Sequence, residues 1–119
     1  MRLSDSDWDA IPEENKHGNC FEVALNTLLE DKSNYILVHG VVTGQGPVSG
    51  IQFCHAWVED GDMVIDNTQS GSNSRLPKAL YYAIGNITIT RRYDWRKMLQ
   101  MVNKYGTYGP WDSVFDKYC

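Results

Sequence analysis

The sequence predicts an α+β domain in which an N-terminal helix carrying a cysteine packs on an antiparallel sheet. Three observations point there. Phe21, Ala24, Leu25, Leu28 and Leu29 recur at spacings of three and four, the period of a helix with one buried face. Runs of β-branched and apolar residues follow, bounded by turn residues, as strands are. Asp60-Gly61 stands between two of these runs and is a two-residue hairpin signal. A helix followed by antiparallel strands is an α+β layout, and 119 residues suffice for one domain, 1–119, with a modest core.

The elements follow in chain order. Residues 1–18 are polar and turn-rich, with Pro12 and Gly18 as breakers, and read as an irregular lead-in. The helix starts at Asn19, a good N-cap residue, with Glu22 three positions on as in a capping box. Cys20, Ala24 and Thr27 lie near one stripe of it, small enough for another element to approach. Residues 35–43 and 51–59 read as strands, joined by a Gly-rich loop. Asp60-Gly61 turns the chain into a returning strand at 62–67. Residues 68–77 form a polar loop, and 80–84 suit either a strand or a short helix. Ile87 and Ile89 alternate with Thr88 and Thr90 in a strand over 86–93. A helix over 94–104 and a short helix or turn over 110–118 complete the chain.

The bulk properties restrict function. Hydrophobic residues make up 42% of the chain and charged residues 22%, which argues against disorder. The net charge is −4 and basic residues are scattered, apart from Arg91-Arg92 and Arg96-Lys97, so nucleic-acid binding has little electrostatic support and no nucleic-acid partner is expected. No apolar run suits a signal peptide or a membrane span. Three cysteines, without a CxxC pair and without a secretion signal, argue against a disulfide framework, and a free thiol suits a reducing cytoplasm.

The chemistry-bearing residues are Cys20, His55 and Asp66. A thiol at a helix start lies beside unpaired backbone N–H groups and the positive end of the helix dipole, surroundings that favour a nucleophilic thiolate. With Asp60-Gly61 as the turn, Glu59 pairs with Asp62, Trp57 with Val64, and His55 with Asp66. Directly opposite residues have Cβ atoms about 4.5–5.5 Å apart, within reach of a carboxylate–imidazole hydrogen bond. Asp66 would orient the ring, His55 would take the Cys20 proton, and the Cys20 N–H would help hold an oxyanion. Asn15, Asn19 and Gln52 are candidates for a second oxyanion donor.

The stretch from Cys20-Phe21-Glu22-Val23-Ala24-Leu25 through His55-Ala56-Trp57-Val58-Glu59-Asp60-Gly61 to Val64-Ile65-Asp66 resembles the papain-like and transglutaminase-like cysteine peptidases. The hairpin is similar to that of small lasso-peptide leader peptidases, and Cys20-Phe21-Glu22 also resembles arylamine N-acetyltransferases. The resemblance implies Cys20 as nucleophile, His55 as general base and acid, and Asp66 as orienter. It implies a cysteine hydrolase cleaving a peptide or isopeptide bond through a thioester, with a protein or peptide substrate and no cofactor. Acyl or amine transfer, including glutamine deamidation, is the alternative within the group. A catalytically silent binding module or inhibitor is the alternative outside it.

Other residues have plainer readings beside sharper ones. His17 is the rival base, without an obvious orienting carboxylate. His39, inside an apolar strand, reads as structural. Cys54 reads as core and Cys119 as inert. A metal site at Cys20, His55 and Asp66 matches no short zinc signature. Trp57 shares the His55 face, where it could shield the His–Asp pair or contact substrate. Trp111 and its aromatic neighbours either pack the last segment or line a substrate groove.

Overall fold

The computed structural model of the chain describes residues 19–44, 47, 49–69 and 71–119. Asn15 and His17 therefore lie outside the described residues. Asn19 is the first residue of helix α1 (Asn19–Leu28), so it stands inside the helix rather than at the expected cap position before it. Phe21, Ala24, Leu25 and Leu28 are buried as the period predicts, whereas Leu29 lies past the helix end and is 44% exposed.

Five antiparallel strands form one sheet in the order β4-β3-β2-β1-β5. They are β1 (Ile36–Thr43), β2 (Gln52–Asp60), β3 (Met63–Ile65), β4 (Arg75–Pro77) and β5 (Thr90–Tyr93). Two further helices are α2 (Lys78–Gly85) and α3 (Trp95–Tyr105). Helix α2 resolves the ambiguity over 80–84. The loop expected over 68–77 contains a 3-10 turn (Gly71–Ser74) and the short strand β4. Only Thr90–Tyr93 of the expected strand over 86–93 is regular. The residues before it still meet β1 through Val41 N–H to Ile89 O and Thr88 N–H to Val41 O.

The sheet is covered on both faces. One face packs against α1 and α3 through Phe21, Leu25, Leu28, Leu37, Ala56, Val58 and Met98. The other packs against α2 through Val38, Val42, Trp57, Val64 and Tyr81. Strict alternation along β1 and β2 feeds both cores, because successive side chains point to opposite faces. Helix α3 is capped at both ends. The Asp94 side chain accepts from Lys97 N–H at 2.8 Å, and Gly106 takes the left-handed conformation with its N–H on Val102 O.

The β2–β3 hairpin departs from the expected register. Asp60 pairs with Met63, Glu59 with Val64 and Val58 with Ile65, so the turn residues are Gly61 and Asp62. Gly61 sits at φ +58 in the first central position, the place for glycine in a type II′ turn. The turn expected at Asp60-Gly61 would have required the same positive φ of Asp60, at a steric cost glycine avoids. Moving the turn by one residue changes each cross-strand pairing by two, which preserves the faces.

The cysteines also differ from expectation. Cys54 and Cys119 form a disulfide spanning 65 residues, and Cys20 remains free and buried. The segment after α3 folds back to the start of β2, where Tyr118 O accepts from Cys54 N–H at 3.1 Å. That long-range return brings the two thiols together, and spacing in the sequence does not encode it.

Candidate active site

His55, Asp66 and Cys20 come together at the edge of β2. Strand β3 ends at Ile65, so β2 has no strand beside His55 on that side. The ring is reached around this open edge, by Asp66 from the chain leaving β3 and by Cys20 from the first turn of α1. His55 Nε2 lies 2.8 Å from Asp66 Oδ2. The expected direct opposition is replaced by a diagonal one, because the shifted register puts Trp57 rather than His55 level with Asp66. Diagonal neighbours on one face are farther apart, about 7–8 Å, and the long imidazole bridges the gap. All three residues are almost shut from water, Cys20 at 3%, His55 at 4% and Asp66 at 1% exposure.

The electrostatics of the group favour a charged pair. Burial alone would push the His55 pKa down, but the Asp66 charge, the charge on Cys20 and hydrogen bonds to both outweigh it and raise it to about 9. With Nε2 committed to Asp66, Nδ1 is the ring nitrogen left for the Cys20 thiol. Burial would raise the Asp66 pKa. The His55 charge, and hydrogen bonds from His55, Thr68 and Tyr81, instead hold it well below the usual carboxylate range. Asp66 is fully partnered: Oδ2 accepts from His55 and from Tyr81 OH at 2.6 Å, and Oδ1 from the Thr68 N–H and hydroxyl. A buried ionised carboxylate is tolerated only with such compensation.

Residues that carry no motif of their own build this support. Helix α2 delivers Tyr81 to Asp66 and Tyr82 to Glu59, a carboxylate as buried as Asp66. Glu59 also accepts from Trp57 Nε1 at 3.0 Å and pairs with Arg92 and with Lys78 at 3.3 Å. Burial would raise its pKa, but the bonds from Tyr82, Trp57 and Arg92 and the Arg92 charge lower it. Asn67 Nδ2 donates to Thr27 Oγ1 at 2.7 Å, tying the loop after Asp66 to the Cys20 helix. The one hint of this support in the sequence is Thr27, on the same stripe as Cys20.

The other expected site residues take definite places. Trp57 is fully buried and lies under His55, ring centroids 6.2 Å apart, with its indole fixed by Glu59. It offers substrate no surface and acts as a floor to the site. Gly40, opposite His55 in the register, makes room for it, since a Cβ there would stand 2.4 Å from the indole. Asn19 begins α1, next to Cys20, and Gln52 is exposed at the start of β2, paired with Thr43.

Trp111 packs against His39 and Tyr93. It also lines a groove of about 720 Å³ with Arg91, Lys97, Tyr105 and Asp116, and none of Cys20, His55 and Asp66 borders that groove. Among the described residues no group of three or more His, Cys, Asp or Glu side chains is arranged to hold a metal ion, and no helix is long and apolar enough to cross a membrane. No protein-family model matches the chain, and searches of curated proteins and of solved structures return no match.

Proposed function

We propose that the protein is a cysteine hydrolase of papain-like or transglutaminase-like type, cleaving an amide bond of a protein or peptide through a thioester on Cys20. The observation that carries this reading is a buried imidazole held between an ionised carboxylate and a free thiol at a helix start. Asp66 orients the His55 ring and stabilises it as imidazolium. The Cys20 sulfur attacks the substrate carbonyl, His55 delivers its proton to the leaving amine, and a water deprotonated by His55 then releases the acyl group. The Cys20 backbone N–H, at the start of α1, is one donor to the oxyanion, with Asn15, Asn19 or Gln52 as the side-chain partner.

The test is labelling with an electrophilic peptide probe, followed by product analysis on a peptide library. Wild type should label at Cys20, Cys20→Ala should not, and His55→Ala should label at least about a hundredfold more slowly, the lower range for general-base loss. Equal labelling of wild type and His55→Ala would reject the mechanism. Adding a primary amine separates hydrolysis from transfer, since a transferase yields the amide of that amine.

A further inference from the structure

The disulfide sits next to the candidate active site. Cys54 immediately precedes His55, and the Cys54 N–H points away from β1 to Tyr118 O, on the edge that β3 leaves open. Cys54 packs against the same cluster that contains Cys20 and Trp111. The returning segment is anchored further back by Phe115, which is fully buried, and by Trp111. Beyond Phe115 the hold is thin. Asp116, Lys117 and Cys119 are exposed. The local turn bonds from Asp116 N–H to Ser113 O and from Tyr118 N–H to Phe115 O do not reach the sheet. The bond to Cys54 and the disulfide do. A single backbone hydrogen bond is worth less than the entropy cost of ordering residues 116–119, of which Tyr118 is half-buried and the other three are exposed. The covalent link therefore keeps residues 116–119 on the β2 edge, and the exposed position of Cys119 leaves the link open to attack by a thiolate.

We infer that Cys54–Cys119 is a redox site: the oxidised form straps residues 116–119 along β2 beside His55, and reduction by a dithiol releases the strap and uncovers Cys20. In the exchange, a thiolate of the dithiol attacks one sulfur to form a mixed disulfide. Its second thiolate then closes the reductant's own disulfide. Two electrons pass to the protein, and Cys54 and Cys119 leave as thiols after taking up two protons. The inference rests on the Cys20 reading above for its functional meaning, and on Cys54 packing against the cluster in which Cys20 is buried.

The experiment measures two quantities on the full chain: amide hydrogen exchange, and Cys20 alkylation by iodoacetamide mapped by peptide mass. Both are read in the oxidised protein, after dithiothreitol, and in the Cys54→Ser/Cys119→Ser double variant. The strap predicts at least tenfold faster exchange at position 54 and at least tenfold faster Cys20 alkylation in both unlocked states, with the Val38 and Val58 amides unchanged. Cys20 rates within twofold of the locked form, or loss of protection at Val38 and Val58 as well, would overturn it. Adding His55→Ala to each state separates the two readings. If His55→Ala leaves Cys20 alkylation unslowed, the catalytic reading fails while the unlocking ratio still reports on the strap. If the ratio is near one while His55 dependence persists, the strap alone fails.

Discussion

His39 and His55 stand on adjacent strands, one step apart in the register, and both are shut from water. They have opposite fates. His39 faces the α1 side, ringed by Phe21, Tyr93, Trp111 and Phe115, and neither of its ring nitrogens has a hydrogen-bond partner among the described residues. Burial without compensation drives its pKa down to about 3. His55 suffers the same burial but has Asp66 on one side and Cys20 on the other, which carry it up to about 9. Burial by itself therefore does not set the charge of a histidine in this molecule. A carboxylate within hydrogen-bond reach does, and the strand edge vacated by β3 has room for one.

Removing each imidazole in turn separates the two most sharply. His55→Ala should slow Cys20 alkylation by about a hundredfold or more, because it removes the imidazole proposed to activate the Cys20 thiol. His39→Leu should leave that rate within about twofold. It should also hold or raise stability by up to about 1–2 kcal/mol, since it removes unpaired buried polar atoms while filling the space. If His39→Leu slowed alkylation as much as His55→Ala, the contrast between the two histidines would collapse.

The pH dependence of stability tests the same contrast by a second route. For His39 the folded value lies below the ordinary 6.5, so its contribution is present above that pH and is lost as pH falls toward about 3. For His55 the folded value lies above 6.5, so its contribution is present below that pH and is lost as pH rises through about 9. Urea unfolding across this range should give a stability maximum near the ordinary histidine value. His39→Leu should flatten the acid limb and His55→Ala the alkaline limb. An acid limb that persists unchanged above about pH 4.5 in His39→Leu would contradict the assignment, because Asp66 acts only below its usual carboxylate range.

Smaller effects probe the support. Tyr81→Phe removes the 2.6 Å donor to a buried carboxylate, and should cost about 2 kcal/mol in denaturant unfolding. Asn67→Ala breaks the tie to Thr27 and should cost about 1 kcal/mol. It should slow Cys20 alkylation less than Tyr81→Phe does, since it loosens only the relation between α1 and the Asp66 loop. The reverse order would place the positioning of the site in the helix rather than in the carboxylate.

Much of the site is legible in residues 19–66. The apolar period of Phe21, Ala24, Leu25 and Leu28 places Cys20 at a helix start, and the alternation of β2 and β3 puts His55 and Asp66 on one face. That pairing tolerates an error in the turn position because a shift of two keeps the face. Tyr81, Thr68, Glu59 and Asn67 are not legible as support, since each reaches its partner from an element or loop whose path local pattern leaves undefined. Helix α2 is itself ambiguous in the sequence, its eight residues being too few to show a clear period.

Local physics thus specifies the α+β layout, the helix that carries Cys20, and the shared face of His55 and Asp66. These follow from periodicity and turn chemistry, which act over a few residues. What depends on distant segments meeting is set by the packing of the whole chain. Packing placed the turn on Gly61, gave His39 an aromatic cage and His55 a carboxylate, locked Trp57 on Glu59, and joined Cys54 to Cys119. Such contacts depend on how whole elements dock and how the chain returns, and no short stretch of sequence carries that information.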